Sequence, residues 1–154
     1  MIVTSSAIQN GYFNDKYGKR GTEIIKKIPL VSFPFTISEA PEGTKSFAWL
    51  LEDEDAIPVA GYSWIHWMAV NNTCPDVPED YSREATDIVQ GINSWNKIGY
   101  GGMTPPNKTH RYDLHVYALD TELDLKPGFR IEDFYRAVDK HMLASYTLSG
   151  KYTY

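Results

Sequence analysis

Arg111-Tyr112-Asp113-Leu114-His115-Val116-Tyr117-Ala118-Leu119 alternates. Tyr112, Leu114, Val116 and Ala118 fall on one face of an extended chain; Arg111, Asp113, His115 and Tyr117 fall on the other. A period of two marks a β-strand with one side buried, because successive side chains point to opposite faces of a sheet. Two further runs have strand length, Phe47-Ala48-Trp49-Leu50-Leu51 and Trp64-Ile65-His66-Trp67-Met68-Ala69-Val70. Both are bounded by turn-forming residues and are short for a helix, so they read as buried central strands. Aromatic residues make up 14% of the chain, which favours the same class, since rings pack well on pleated, half-buried surfaces.

Outward from these strands the signals are weaker. Thr4 to Lys27 is polar, with a basic stretch at Lys16, Lys19, Arg20, Lys26 and Lys27. It reads as solvated surface holding a short edge strand. From Ile28 to Ile37 the apolar residues are punctuated by Pro29 and Pro34. Proline cannot donate to a ladder, so an edge strand or extended loop is expected there. Ala40-Pro41-Glu42-Gly43-Thr44 is a turn sequence. Asn71 to Lys97 contains Pro75 and Pro78 and reads as a long excursion with little regular structure, of the kind that is functional or mobile. One segment has helical spacing: Ile131, Phe134, Tyr135, Val138 and Met142 predict a helix over 130–144, with Glu132 and Asp133 in its first turn. Gly150 and the aromatic-rich Tyr146 to Tyr154 predict a closing strand.

Bulk composition bounds the function. The 154 residues fit a single domain over 1–154, and 42% hydrophobic with 23% charged residues is a globular balance. A net charge of −5 argues against nucleic acid as the main partner. With one cysteine, Cys74, no intrachain disulfide can form. Met1 to Ser6 lacks the features of a secretory signal, and no apolar run approaches the roughly 20 residues that cross a bilayer. The expectation is a cytoplasmic protein without stable membrane insertion.

Three segments concentrate chemistry. Glu52-Asp53-Glu54-Asp55-Ala56-Ile57-Pro58 places four carboxylates directly after a strand, where folding them together requires donors nearby. His66, by strand parity, shares a face with Trp64, Met68 and Val70, and a buried ring nitrogen needs a partner. Gly99-Tyr100-Gly101-Gly102-Met103-Thr104-Pro105-Pro106 precedes His110-Arg111-Tyr112. Its glycines could let backbone N–H groups converge on an anion, although the spacing is wrong for a dinucleotide fingerprint. His110 lies by parity on the buried face with Tyr112 and Leu114.

Taken in order, Asp53-x-Asp55-Ala, Trp64-x-His66, Tyr100-Gly101-Gly102 with Pro105-Pro106, and His110-Arg111-Tyr112 resemble the phosphatidylethanolamine-binding family, in particular its shorter bacterial and archaeal Raf-kinase-inhibitor-like branch. Pro41 to Ser46, Tyr117 to Asp120 and His141 to Ala144 agree, and the likeness runs from about Pro34 to Tyr154. The resemblance implies two antiparallel sheets packed face to face as a Greek-key β-sandwich, with one or two short helices. It also implies a ligand pocket lined by Asp53, Asp55, Trp64, His66, Tyr100, Gly101, Gly102, Pro105, Pro106 and His110. Family members bind phosphate- and carboxylate-like head groups there, without a cofactor, and some occlude kinases or other protein partners. Glu54 and Ile57 depart from the family pattern, standing where prolines are usual.

The leading expectation is therefore a non-enzymatic module for a small anionic ligand. His66, His110, the Gly101 and Gly102 amides and the Tyr100 hydroxyl would donate, while Asp53 and Asp55 orient the imidazoles and favour their protonated form. Three alternatives stay open at this stage. One is a hydrolase built on the histidine and carboxylate cluster, although Gly61-Tyr62-Ser63-Trp64-Ile65 lacks the last glycine of a nucleophile elbow. Another is a zinc site on Asp53, Asp55, His66 and His110. The third is an interaction module with a vestigial pocket. A symmetric homodimer is the commonest case among soluble oligomers.

Overall fold

In the computed structural model, which describes residues 1–154, the first 45 residues contribute short strands. These are β1 (Ile2–Thr4), β2 (Ile8–Gln9), β3 (Tyr12–Phe13), β4 (Ile24–Ile25), β5 (Ile28–Pro29) and β6 (Phe35–Ser38). The long strands follow where the apolar runs predict them: β7 (Ser46–Asp53) and β8 (Trp64–Asn72). The predicted excursion holds only β9 (Asp76–Val77) and β10 (Val89–Gln90), and the alternating segment forms β11 (His110–Leu119). The chain closes on β12 (Met142–Tyr152). Helices are few and short: α1 (Ile57–Ala60), α2 (Tyr81–Glu84) and α3 (Ile131–Val138). None is long and apolar enough to cross a membrane.

The chain is mainly β. A seven-stranded sheet has the order β10-β8-β7-β11-β12-β3-β2, a smaller one β1-β6-β9, and β4 pairs with β5 alone. Every pairing is antiparallel except the contact between β12 and β3 at Lys151 and Tyr12. All eight residues of β7 are buried, because both faces of the large sheet are covered. One face packs on the small sheet, with Trp49, Leu51, Trp67, Leu114 and Val116 against Val3, Phe35, Ile37 and Val77. On the other, Leu50, Met68 and Val70 lie under Phe129 and the apolar side of α3, Phe134 and Val138. Covering both faces explains why β7 and β8 read as continuous apolar runs while β11 alternates less sharply in burial than in sequence.

Two expectations are corrected. The predicted helix over 130–144 ends at Val138. Met142 to Ala144 instead open β12, pairing with Leu119 and Ala118 of β11; a run of ladder hydrogen bonds to a buried strand outweighs helical propensity at a helix end. Phe35 to Ser38 is not at an edge but forms the middle strand of the small sheet. Pro34 precedes its first residue, so the missing N–H removes no ladder bond.

A third difference matters most for function. Leu51 pairs with Trp67, but its neighbour Glu52 pairs with Ile65. At this point β8 therefore carries an extra residue, His66, in a β-bulge. Beyond the bulge the alternation changes phase. Ile65, Met68 and Val70 face the α3 side, whereas Trp67 and Ala69 face the small sheet, and His66 packs edge-on to Tyr112 at 5.2 Å on that same side. Strand parity placed His66 with Met68 and Val70; the bulge puts it on the opposite face.

The packing predicts a large cost for truncation at β11. Leu114 is fully buried, and Leu114→Ala is expected to lower unfolding free energy by about 2–5 kcal/mol. Denaturant unfolding checks this; a loss below about 1 kcal/mol would contradict the packed face described here.

Candidate functional site

The central strand β7 ends at Asp53, and a helical turn with α1 follows immediately, stopped by Gly61 in the left-handed region at φ 89°. This short lid lays Ala56, Val59 and Ala60 beside the start of β8, where Trp64 and His66 stand. Trp95 comes from the excursion, and Thr104 and Pro106 from the glycine- and proline-rich loop. Together with Asp53 they enclose a cavity of about 240 Å³. Asn93 shapes the Trp95 turn: its side-chain Oδ1 accepts from the amides of Trp95 (3.0 Å) and Lys97 (3.2 Å), and its Nδ2 donates to the Gly99 carbonyl at 3.0 Å. The Trp95 ring then meets Trp64 and His66 edge-on, at 5.3 and 5.2 Å.

His66 is 1% exposed. Its Nδ1 donates to the Gly101 carbonyl at 2.6 Å, which fixes the tautomer and leaves Nε2 as an acceptor with no partner. Burial pushes its pKa down to about 4, against the opposing pull of the Gly101 hydrogen bond. The imidazole is therefore neutral at pH 7, not protonated as expected.

Asp53 is 3% exposed. One carboxylate oxygen accepts from His110 Nδ1 at 2.7 Å; the other has no partner. Burial raises its pKa, and the His110 contact offsets part of that rise. His110 is fully buried and bridges onward through Nε2 to Asn107 Oδ1 at 2.9 Å.

Two more buried polar atoms lack partners here, the indole N–H of Trp64 and the hydroxyl of Tyr112. The latter makes no hydrogen bond of ordinary geometry but is near enough to Asp53 for that charge to help raise its pKa, behind the dominant effect of burial. A fifth such atom, the Trp49 indole nitrogen, belongs to the core. Three orphaned polar atoms on residues of the cavity wall, those of Asp53, Trp64 and His66, would each cost about 1–3 kcal/mol if left dry. The arrangement suits an occupant that supplies their hydrogen bonds.

The expected site residues divide into three groups. Asp53, Trp64, His66 and Pro106 line the cavity. His110 stands behind Asp53 and orients it. The remainder serve elsewhere, and their expected roles are corrected. The Asp55 carboxylate accepts from the backbone amide of Arg111 at 2.9 Å and touches neither imidazole. Tyr100 is buried in the core, its hydroxyl donating to the Tyr17 carbonyl at 2.8 Å. The Gly101 and Gly102 amides are spent on the carbonyls of His66 and Pro29, both at 2.9 Å, so neither faces an anion. Gly101 is required for space, since a Cβ would meet the Trp95 ring at 2.5 Å. Pro105 is buried, and its carbonyl accepts from Lys19 Nζ at 3.0 Å. Glu54 and Ile57, the departures from the family pattern, lie on the exposed side of the lid and are absent from the cavity wall.

Sequence reasoning missed Trp95, Thr104, Tyr112 and the lid residues Ala56, Val59 and Ala60. Trp95 left a signal: it is one of only two aromatic residues in 71–97, an unusual investment in an otherwise polar excursion.

The family model described as phosphatidylethanolamine-binding protein matches residues 3–153. The chain belongs to the phosphatidylethanolamine-binding protein family. The match includes the first thirty residues, which the motifs alone left outside the likeness. An uncharacterised Bacillus subtilis protein, YxkA, is 43% identical over 151 residues, covering 88% of this chain and 90% of its own. A UPF0098 protein of Chlamydia trachomatis is 34% identical over 155 residues, covering 99% and 98%. Two solved structures superpose over nearly the whole chain. The Chlamydia trachomatis homologue CT736 gives a TM-score of 0.85 at 30% identity, covering 99% of this chain and 96% of that one. Escherichia coli YbcL, described as a new member of the mammalian family, gives 0.84 at 29%, covering 99% and 97%.

The buried imidazole is open to direct observation. Histidine side-chain NMR across pH 4–8 should find His66 as the neutral Nδ1–H tautomer throughout the range above pH 5, with its midpoint near 4. Titration near the ordinary value of about 6.5 would show that the ring is not desolvated as described.

Proposed function

We propose that this protein binds small anionic ligands, phosphate- or carboxylate-bearing head groups, in the cavity beside Asp53 and His66. The observation that carries the proposal is the convergence of orphaned polar atoms from Asp53, Trp64 and His66 on a single hollow. The Trp64 indole N–H is a standing donor, and the Thr104 hydroxyl lies in the same wall. Asp53 and His66 become donors only when protonated. An anion entering the cavity favours those protonated forms, because its opposite charge stabilises an imidazolium and its like charge repels a carboxylate, which protonation neutralises. Binding is therefore coupled to proton uptake, and affinity rises as pH falls. The site starts neutral at His66 and gains its proton with the ligand.

Binding rather than catalysis is supported by the surroundings of His110. Its Nδ1–Asp53 contact is the base half of a nucleophilic triad, yet Nε2 is held by the Asn107 carboxamide and not by a hydroxyl. The name of the family points to a phosphate-bearing head group. A phosphorylated side chain of a protein partner presents the same chemistry, which is how occlusion of a kinase or another partner would use this cavity.

Calorimetric titration with inorganic phosphate and acetate, at pH 5.5 and 7.5, provides the test. Wild type should bind more tightly at the lower pH, with proton uptake visible as a dependence of the heat on buffer ionisation. His66→Ala should weaken binding by about tenfold or more, the loss of one charge-assisted hydrogen bond. Equal affinity in wild type and variant would remove the cavity from consideration.

A further inference from the structure

The cavity that we read as an anion site has no lysine or arginine in its wall, which is a poor arrangement for holding a multiply charged guest. Thr104, however, belongs to two hollows. On its other side is an open recess of about 370 Å³ lined by Lys19, Lys27 and Ile24. The members of the basic N-terminal stretch are not alike. Lys16 is paired with Glu79 at 2.6 Å and Arg20 with Asp15 at 2.7 Å. Lys19 and Lys27 have no carboxylate partner, in a chain whose net charge is −5.

Lys19 is also held in place. Its ammonium donates to the Pro105 carbonyl at 3.0 Å and sits 4.2 Å over the Tyr154 ring, so it is ordered before any ligand arrives. Lys27 belongs to the two-residue turn between β4 and β5, where both Lys26 and Lys27 adopt the left-handed conformation at φ 49° and 68°. Residues with side chains rarely occupy that region; Asn-Gly would be the usual choice for such a turn. Backbone bonds lock this whole segment to the cavity loop. The Lys19 amide donates to the Met103 carbonyl at 2.8 Å, and the Gly102 amide to the Pro29 carbonyl at 2.9 Å. Gly18 and Met103 form a parallel bridge beside them. The backbone that carries the two lysines is thus fixed in register with Thr104.

We propose that Lys19 and Lys27 form a second anion subsite, so that the ligand carries two anionic groups, one in the cavity and one across Thr104 in the lysine recess. A diphosphate has this chemistry, whether it is free or the head group of a lipid. The inference rests on the reading of the cavity as an anion site, and the test separates the two.

Affinities for pyrophosphate and for inorganic phosphate are measured at low ionic strength, without divalent cations, on wild type, Lys19→Met, Lys27→Met and Lys26→Met. Wild type should prefer pyrophosphate by about tenfold, the scale of two partly exposed ion pairs. Lys19→Met and Lys27→Met should each cut that preference while leaving phosphate affinity within about twofold. Lys26→Met removes the same charge from the same turn without touching the recess, and the preference should survive it. Equal binding of the two ligands by wild type would overturn the subsite and leave the cavity reading intact. An equal effect of all three substitutions would reduce the subsite to net charge and overturn it too. Binding of neither ligand would sink the cavity reading and this inference with it. With a positive result, co-sedimentation of wild type and Lys27→Met with vesicles carrying a diphosphate head-group lipid, compared with uncharged vesicles, assigns the source as lipid or soluble.

Discussion

One extra residue in β8 governs the working face of this protein. In a sheet, side chains alternate with a period of two, so a single insertion reverses every assignment beyond it. The change of pairing from Leu51–Trp67 to Glu52–Ile65 is that insertion. It lets Ile65, Met68 and Val70 complete the core under α3 while His66 turns the other way, against Tyr112 and Trp95. Without the bulge the imidazole would be buried under α3, and the cavity would lose the side chain that gives it an acceptor. Bulges recur beside functional sites because they re-aim a side chain at small cost to the ladder.

Around that re-aimed ring the protein accepts an energetic imbalance. A carboxylate, an imidazole, an indole N–H and a phenol are buried together with an incomplete set of hydrogen bonds. Buried polar groups in folded domains are almost always paired, so a cluster of exceptions at one place sets this cavity apart from the rest of the core. The shifts agree in sense: burial disfavours charge on both groups, raising Asp53 and lowering His66. Both groups are thereby held toward their uncharged forms. Its rigidity comes from behind, from the Asp53–His110–Asn107 relay and the Gly101 carbonyl. On the far face of the same sheet, Glu52 accepts from Ser63 and pairs with His115, whose pKa it raises. Adjacent carboxylates on β7 therefore have opposite fates, Asp53 raised by burial and Glu52 lowered by its partners.

The glycine-rich loop shows how a correct location can carry a wrong role. Gly101 and Gly102 lie next to the cavity, as their motif implied, but their amides are consumed in backbone pairing. Their contribution is the absence of a side chain: Trp95 packs where a Cβ of Gly101 would stand, and Pro29 and Tyr17 crowd Gly102. Tyr100 likewise anchors the N-terminal segment through the Tyr17 carbonyl. A motif records which residues are needed, and the needs of packing and of binding leave the same letters in a sequence.

The residue pattern was enough for the class of fold, the three long strands and the nearness of Asp53, Trp64, His66, Pro106 and His110 to one another. Those depend on local periodicity and on residue types whose burial demands partners, both of which are written along the chain. Packing between distant segments set which way those side chains point and what stands opposite them: the bulge at His66, the end of α3 at Val138, the arrival of Trp95 from a distant loop, and the placing of Lys19 and Lys27 in one recess with Thr104. Each of these is settled by pairing between segments far apart in the chain, and long-range pairing leaves no period behind for a sequence to show.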